Sequence, residues 1–133
     1  MNTILVGTAA EHMTKEVDSV APEMDTYEAI HRLVKNRVSA MPVVDDGGKL
    51  VGILSERDCL DAFLRAEYYE SPPALVKDLM TAEVVSVERD TNILKVVELF
   101  SKKNFHYLPV VENDRLVGQI SRKEVIRAIQ EMR

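Results

Sequence analysis

Two segments of the sequence place a serine three positions before an acidic residue, where a helix is predicted to begin. They are Ser55 to Asp58 and Ser121 to Glu124, and each follows an apolar run that contains a glycine. In a capping box, the serine oxygen accepts a backbone amide and the acid reaches back to the serine amide, which stabilises the helix start by ~1 kcal/mol. A carboxylate at this place can also accept two neighbouring hydroxyl groups of a ligand, beside helix amides that favour an anion. The two roles can coexist, so the pattern leaves both open.

Composition narrows the classes of protein to which the chain can belong. Its 133 residues fit one compact unit, and 46% hydrophobic with 29% charged residues fit neither a disordered chain nor a coiled-coil rod. The net charge of −5 does not favour a nucleic-acid binder, and the apolar runs are too short to cross a bilayer. The segment Met1–Val6 lacks the features of a secretory signal, and the single cysteine, Cys59, cannot form an intramolecular disulfide. We therefore expect a cytoplasmic protein with neither nucleic acid nor a membrane as its partner.

Few residues favour catalysis or metal binding. The three histidines have no paired cysteines at zinc spacing, and the sequence contains neither Gly-x-Gly-x-x-Gly nor Gly-Lys-Ser/Thr. The segment Asp45–Gly48 lacks the spaced acids of a calcium loop and predicts a hairpin turn. Cys59 lies in an apolar helix face beside Leu60 and Phe63, which favours a buried thiol over a nucleophile. We predict no catalytic residue and no metal site, and we do not expect an enzyme.

An internal repeat defines the organisation of the chain. Met13–Val20 recurs as Met80–Val87, and Pro42–Val44 recurs as Pro109–Val111, in both cases 67 positions later. The spacing changes by one residue further on, in a predicted turn, where insertions are best tolerated.

The two repeats, over residues 8–70 and 71–133, each predict the order strand, helix, strand, strand, helix. A repeat of this size cannot close a core well alone. We therefore predict an α/β fold of tandem β-α-β-β-α repeats, packed sheet to sheet about a pseudo-twofold axis that leaves two clefts. The predicted bounds are short strands at 17–20 and 84–87, returning strands at 50–54 and 116–120, last helices at 56–69 and 122–132, leading helices at 8–12 and 74–79, and a linker at 71–73.

These motifs resemble a known family. The pattern of Met-Thr, Val and Ser-Val, then a helix, then the segment Val38–Asp58, resembles a CBS domain, named after cystathionine β-synthase, and Phe105–Glu124 resembles a second copy. Together they resemble a CBS pair, or Bateman module, of the stand-alone kind with no catalytic domain attached. The resemblance implies that AMP, ADP or ATP, and less favourably S-adenosylmethionine, binds between the repeats. It also implies a regulated partner or attached domain and a homodimer.

The resemblance carries a predicted nucleotide site. The family's ribose motif, Gly-hydrophobic-x-Ser/Thr-x-x-Asp, matches Gly52 to Asp58, so Ser55 and Asp58 are predicted to bind the ribose and Arg57 to add positive charge for phosphate. In the family, this motif combines with the early strand and the pre-proline segment of the other repeat. The predicted stronger site consists of Ile53, Ser55, Arg57, Asp58, Thr81, Val84, Phe105, His106 and Pro109.

The second copy of the motif departs from the family pattern. Glu124 stands in place of the aspartate and Gln119 in place of the apolar residue Ile53. Because glutamate is the better capping-box acid and its extra methylene displaces the carboxylate, we favour capping there and a site that is weaker, empty or different in preference. One occupied site per chain is expected. The predicted weaker site consists of Thr14, Val17, Val38, Ser39, Ala40, Pro42, Ser121 and Glu124.

Three further interpretations concern His106, Tyr107 and the last helix of each repeat. By its position before Pro109, His106 resembles a phosphate-contacting residue of the AMP-activated kinase regulatory subunit, and the alternative is an ordinary polar residue at a strand edge. Tyr107 is predicted to pack rather than to stack on adenine. The helix residues predicted to form a dimer face are Leu60, Phe63, Leu64, Tyr68, Val125, Ile126, Ile129 and Met132.

Two functions from different classes follow from the sequence. The first is a regulatory module that senses adenosine-containing nucleotides and catalyses no reaction. The second is a protein–protein interaction or scaffold module with unoccupied clefts, which the departures at Gln119 and Glu124 support. Stabilisation of the fold by nucleotides would distinguish the first from the second.

Overall fold

The computed structural model describes residues 7–69, 75–105 and 107–131, with the side chains of residues 68 and 69 excepted. The linker predicted at 71–73 lies outside this range. Across the described residues, no helix has both the length and the apolar composition that a membrane span requires.

The described residues form two compact units, and neither unit coincides with one sequence repeat. Asp18–Val84 forms the central unit, whereas the chain up to Val17 and the chain from Val85 onward together form the terminal unit. The opening segment of each repeat therefore packs in the unit that holds most of the other repeat. The bounds of the repeats themselves stay a prediction about the sequence.

Each unit combines helices with one small sheet, as the α/β prediction requires. In chain order the helices are α1 (Ala9–His12), α2 (Thr26–Asn36), α3 (Glu56–Tyr69), α4 (Val76–Leu79), α5 (Ile93–Lys102) and α6 (Arg122–Glu131), and the strands are β1 (Ala40–Val44), β2 (Leu50–Ser55), β3 (Val87–Glu88), β4 (Tyr107–Glu112) and β5 (Arg115–Ser121). The predicted helix at 56–69 is confirmed at both ends, and the returning strands are confirmed within one residue.

The sheet of the central unit is an antiparallel pair, β1 with β2, which is extended on each side by a single residue. On one side, Val20 donates to the carbonyl of Pro42 at 3.0 Å and accepts from the amide of Val44 at 2.9 Å. On the other side, Ile53 and Thr81 exchange two backbone hydrogen bonds of 2.9 Å each. A proline is tolerated at the third position of β1 because the pairing with Val20 uses the carbonyl of Pro42 and the amide of Val44.

The terminal unit repeats this arrangement with a longer sheet. Strand β3 pairs in parallel with β4, β4 pairs antiparallel with β5, and Thr14 bridges to Gln119 beyond β5. The strands predicted at 17–20 and 84–87 are wrong in length, since only Val20 and the two residues of β3 join a sheet. The residues before them carry the chain from one unit to the other, so they have no continuous ladder to join.

The two predicted hairpin turns are present and differ in detail. In the turn between β4 and β5, Asn113 and Asp114 both adopt positive φ angles, 52° and 66°, which matches the twist of a tight hairpin. In the turn after β1, the carboxylate of Asp45 accepts the amides of Gly47 and Lys49 at 3.0 and 2.9 Å. The residue by which the two repeats differ is therefore accommodated in a turn.

Each unit has its own hydrophobic core, in which residues of three helices pack against one small sheet. Asp25 caps α2 by accepting the amide of Tyr27 at 2.8 Å, and Asn92 caps α5 by accepting the amide of Leu94 at 2.8 Å. The central core contains Val20, Ala29, Leu33, Met41, Val43, Leu54, Cys59, Ala62, Val76 and Leu79. The terminal core contains Ala9, Val87, Ile93, Val96, Leu108, Val110, Ile120 and Val125. The equivalent positions of the two cores explain why the apolar pattern of the sequence repeats.

Cys59 is buried in the central core, as predicted. Burial raises the pKa of its thiol, and the neighbouring carboxylates of Asp58 and Glu56 raise it further. Because the thiolate is the reactive form, this environment is that of a structural thiol and not of a nucleophile.

Candidate functional site

The carboxylate of Asp58 lies at the start of α3 and closes a capping box with Ser55. The Asp58 Oδ2 atom accepts the backbone amide of Ser55 at 2.9 Å, and the Ser55 Oγ atom accepts the backbone amide of Asp58 at 3.0 Å. The carbonyl of Ser39 accepts the amide of Glu56 at 2.8 Å, which fixes the same turn from β1. The capping interpretation of this motif is therefore confirmed, and the side chain of Asp58 is half-buried.

The second oxygen of Asp58 is contacted by Thr81. The Thr81 hydroxyl donates to Asp58 Oδ1 over 3.3 Å, and its backbone is held by the two hydrogen bonds to Ile53. The preceding residue, Met80, packs closely over Gly52, where an added Cβ would lie 2.7 Å from the Met80 sulfur. Because only glycine leaves room for this approach, Gly52 is what allows Thr81 to reach the carboxylate.

The terminal unit contains the same arrangement around Glu124. The Glu124 Oε1 atom accepts the amide of Ser121 at 2.8 Å, and the Ser121 hydroxyl oxygen accepts the amide of Glu124 at 3.3 Å. The Thr14 hydroxyl donates to Glu124 Oε2. Gln119 and Thr14 exchange backbone hydrogen bonds of 2.8 and 3.0 Å, and Met13 packs over Gly118. The capping role predicted for Glu124 is confirmed.

The family resemblance pairs the opening Met-Thr segment of each repeat with the serine and acid motif of the other repeat, but it does not give the contacts between them. The structure shows that each methionine packs over the glycine that precedes this motif and that each threonine donates to its acid. The signal in the sequence was the recurrence of both segments, with the methionines 67 and the glycines 66 positions apart.

The chemistry of both carboxylates is that of hydrogen-bond acceptors. An ionised carboxylate offers about four lone-pair positions, and the described contacts use one on each oxygen. Neither Asp58 nor Glu124 forms an ion pair among the residues that the structure describes. Acceptor capacity therefore remains for a hydroxyl-bearing ligand at each site.

The other residues of the predicted stronger site divide between the two units. Arg57 is exposed and Val84 is half-buried, both in the central unit. Phe105 packs against the terminal core, and Pro109 is buried in β4 of the same unit. His106 lies outside the described residues, so its predicted contact with phosphate remains a prediction. The residues that the structure brings together within one unit are Ile53, Ser55, Asp58 and Thr81.

The residues of the predicted weaker site divide in the same way. The terminal unit brings together Thr14, Ser121 and Glu124, with Val17 at the end of the same opening segment. The remaining four lie in the central unit, where Ala40 and Pro42 are buried, Ser39 is half-buried and Val38 is exposed. The phenol of Tyr107 is also buried and its pKa is raised by burial, which agrees with the packing role predicted for it.

Most of the apolar residues predicted for a dimer face are exposed. Leu60 and Ile126 are 70% and 65% exposed, and a groove of about 420 Å³ runs between α2 and α3 beside Phe63. The prediction was wrong for Val125, which is only 4% exposed, because its side chain points into the terminal core one position before Ile126. The side chain of Tyr68 and the whole of Met132 lie outside the described residues.

No group of three or more histidine, cysteine, aspartate or glutamate side chains that could hold a metal ion occurs within the described parts of the chain.

Comparisons with known proteins agree with the resemblance seen in the sequence. The family model of the CBS domain matches residues 9–65 and 76–131. A chloroplastic CBS domain-containing protein of Arabidopsis thaliana, CBSX1, is 34% identical over 151 aligned positions, which cover 92% of this chain and 64% of CBSX1. An inosine-5'-monophosphate dehydrogenase of Methanocaldococcus jannaschii is 32% identical over 92% of this chain, but the match spans only 23% of that enzyme.

A solved structure gives the same fold. The crystal structure of CBSX2, an Arabidopsis thaliana protein, in complex with AMP matches with a TM-score of 0.83 and 32% sequence identity. The match covers 94% of this chain and 97% of the CBSX2 chain. The tandem repeats and the mixed α/β architecture predicted from the sequence are thereby confirmed.

Proposed function

The chain belongs to the CBS domain family, and on that premise we propose that it is a regulatory module that binds an adenosine-containing nucleotide through Asp58. The observation that carries this proposal is the half-buried Asp58 carboxylate, which the capping box holds in one orientation. A ribose offers two adjacent hydroxyl groups, and a carboxylate with fixed orientation can accept both. The AMP complex of CBSX2, a protein similar over almost the whole chain, supports this ligand class.

The ligand proposed is AMP, ADP or ATP, with S-adenosylmethionine less favoured. Arg57 is exposed next to Asp58 in the first turn of α3, and its positive charge supports the proposal that phosphate groups bind nearby. Thr81 and Val84 belong to the segment that reaches Asp58, and they are proposed to line the nucleotide site. Phe105, His106 and Pro109 are proposed on the family resemblance alone.

The proposal assigns one nucleotide to each chain. Glu124 makes the same kinds of hydrogen bond as Asp58, but its side chain is one methylene longer and Gln119 stands where the first repeat has Ile53. We therefore propose that the site at Glu124 is weaker than the site at Asp58.

The proposal of a regulatory role without catalysis rests on the sequence, in which no catalytic residue is predicted. The chain spans 64% of CBSX1 and 23% of the dehydrogenase, so the activity of that enzyme is not carried over to it. The regulated protein, the homodimer and the cytoplasmic location stay predictions from the sequence. The exposed apolar residues on α3 and α6 support the homodimer, which analytical ultracentrifugation measures directly.

A scaffold module with unoccupied sites is the second candidate. One observation favours it: both carboxylates have all their oxygens in contact with groups of the protein itself. In that case, partner proteins would bind equally well with and without nucleotide.

Native mass spectrometry of the purified protein, followed by thermal unfolding with AMP, ADP, ATP and S-adenosylmethionine, tests the proposal. We expect the mass spectrum to show one nucleotide bound per chain, either co-purified or added. We also expect the melting temperature to rise with the nucleotide concentration. If none of the four compounds binds or moves the melting temperature, the proposal is wrong and the scaffold function is favoured.

A further inference from the structure

Each carboxylate of the two capping boxes has its second oxygen in contact with a threonine hydroxyl. In the central unit, Oδ2 of Asp58 belongs to the cap and Oδ1 faces Thr81. In the terminal unit, Oε1 of Glu124 belongs to the cap and Oε2 faces Thr14. Both units use one carboxylate oxygen for the cap and the other for the threonine. This agreement indicates that the arrangement is a property of the fold and does not depend on one side chain.

Both threonines are held in place independently of their hydroxyl groups. The backbone of Thr81 makes two hydrogen bonds of 2.9 Å with Ile53, and the backbone of Thr14 makes hydrogen bonds of 2.8 and 3.0 Å with Gln119. Both side chains are exposed. A valine of the same shape can therefore replace either threonine without disturbing the backbone, and it removes only the hydroxyl.

A ligand with two adjacent hydroxyl groups needs both oxygens of the carboxylate. Each oxygen keeps one of its two lone-pair positions, because the oxygen in the cap already accepts an amide and the other oxygen already accepts the threonine hydroxyl. The incoming ligand must therefore displace this hydroxyl or share the oxygen with it. The cost is small at Asp58, where the contact is 3.3 Å long, and we expect it to be larger at Glu124, because a side chain longer by one methylene has more freedom to optimise its hydrogen bond with Thr14.

We propose that Thr81 and Thr14 act as latches that compete with the ligand for Asp58 and Glu124, and that the Thr14 latch keeps the second site closed. This inference rests on the proposed function and deepens it, because it names the residues that set how available each carboxylate is. It assigns to the two threonines a role opposite to that of an ordinary ligand contact, since their hydroxyl groups weaken binding.

Isothermal titration of the full chain with AMP tests the latches. Thr81→Val is expected to bind AMP about 3–10-fold more tightly, as the loss of one long competing hydrogen bond predicts. Thr81→Ser keeps the hydroxyl group and is expected to bind like the unchanged protein. Thr14→Val is expected to raise the number of AMP molecules bound per chain from one to two.

The opposite results overturn the inference. If Thr81→Val binds AMP equally or more weakly, Thr81 is a bystander or a ligand contact and not a latch. If Thr14→Val leaves the stoichiometry at one, the closed second site has another cause and that part of the inference is wrong.

A measurement without ligand separates this inference from the proposed function. Thermal unfolding of Thr81→Val, Asp58→Asn and the double variant forms a cycle that reports whether the two side chains interact in the free protein. We expect Thr81→Val to lower the melting temperature by about 2–5 °C in the presence of Asp58 and by less in its absence. An additive cycle in a protein that binds AMP would overturn the latch alone, whereas the absence of nucleotide binding would reject the proposed function, and the latch with it, whatever the cycle shows.

Discussion

Replacing Asp58 separates helix capping from ligand binding, because its two oxygens have different partners. Asp58→Asn keeps a carbonyl oxygen that can accept the amide of Ser55, but it loses the charge and one acceptor. Asp58→Ala loses the cap as well, at a cost of about 1 kcal/mol. For a domain of this size, about 3–6 °C of melting temperature corresponds to each kcal/mol. We therefore expect the free alanine variant to melt about 3–6 °C lower and the asparagine variant to change less.

The effect on ligand binding is expected to be larger than the effect on the cap. At a nucleotide concentration of about 100 times Kd, the unchanged protein gains about 2.7 kcal/mol, or about 8–16 °C. A hydrogen bond to a charged group contributes about 1.5–3 kcal/mol, so losing the charged acceptor weakens binding by about 100-fold. At the same nucleotide concentration, the gain of Asp58→Asn falls to about 0.4 kcal/mol, or about 1–3 °C.

Differential scanning calorimetry with and without AMP measures both effects in one experiment. Glu56→Gln is the matched control, since it removes one charge from the same turn of α3 at an exposed position. If Asp58→Asn keeps the full AMP-induced rise in melting temperature, Asp58 does not hold the ribose and the assignment of the site is wrong.

Three further predictions concern the cap of α6, the close approach at β2 and the buried thiol. Ser121→Ala removes a capping oxygen and should lower the urea-derived free energy of unfolding by about 1 kcal/mol, whereas Ser101→Ala on the exposed side of α5 should not. Gly52→Ala puts a methyl group 2.7 Å from a methionine sulfur and 3.0 Å from a backbone carbonyl, so it should lower the free energy of unfolding by about 1–3 kcal/mol. Gly47→Ala has its nearest neighbour at 3.5 Å and should lower it less, and equal losses of stability would contradict the packing. Burial raises the pKa of Cys59, so the folded state holds the thiol proton more tightly than the unfolded state does. The stability that this difference contributes is complete below the pKa of the unfolded thiol, about 8.5, and is lost as pH rises above it. Urea unfolding over that range should show a steeper loss of stability than in Cys59→Ala, and equal slopes would refute it.

The sequence predicted the elements well wherever a local signal existed. The helix at 56–69 has a serine cap at its start and apolar residues at helical spacing, and the structure confirms both of its ends. The strand predicted at 17–20 had only two β-branched residues, Val17 and Val20, as its signal, and a single residue, Val20, joins the sheet. The misplaced Val125 shows the limit of pattern reading, because a shift of one position along a helix separates the core from the surface.

The pairing of the opening segments with the acids could not be predicted from local pattern, because the repeat makes the choice degenerate. Thr14 and Thr81 have nearly identical neighbours in the sequence, and so do Gly52 and Gly118. Either threonine would satisfy the local chemistry beside either glycine. Only the paths of the connecting chain and the packing of each unit as a whole decide that Thr81 meets Asp58 and Thr14 meets Glu124.

This degeneracy makes the small differences between the repeats informative. The capping serine, the bridging threonine and the methionine over a glycine are the same in both units, so a difference between the two sites, including one in how firmly each threonine holds its acid, must come from other residues. Among the residues that form these contacts, the two units differ at two positions. Glu124 takes the place of Asp58 and adds one methylene, and Gln119 takes the place of Ile53. Any preference of a ligand for one of the two carboxylates should therefore follow these two substitutions. Glu124→Asp combined with Gln119→Ile is expected to give the terminal unit the binding properties of the central unit, and titration with AMP would then count two equivalent sites per chain.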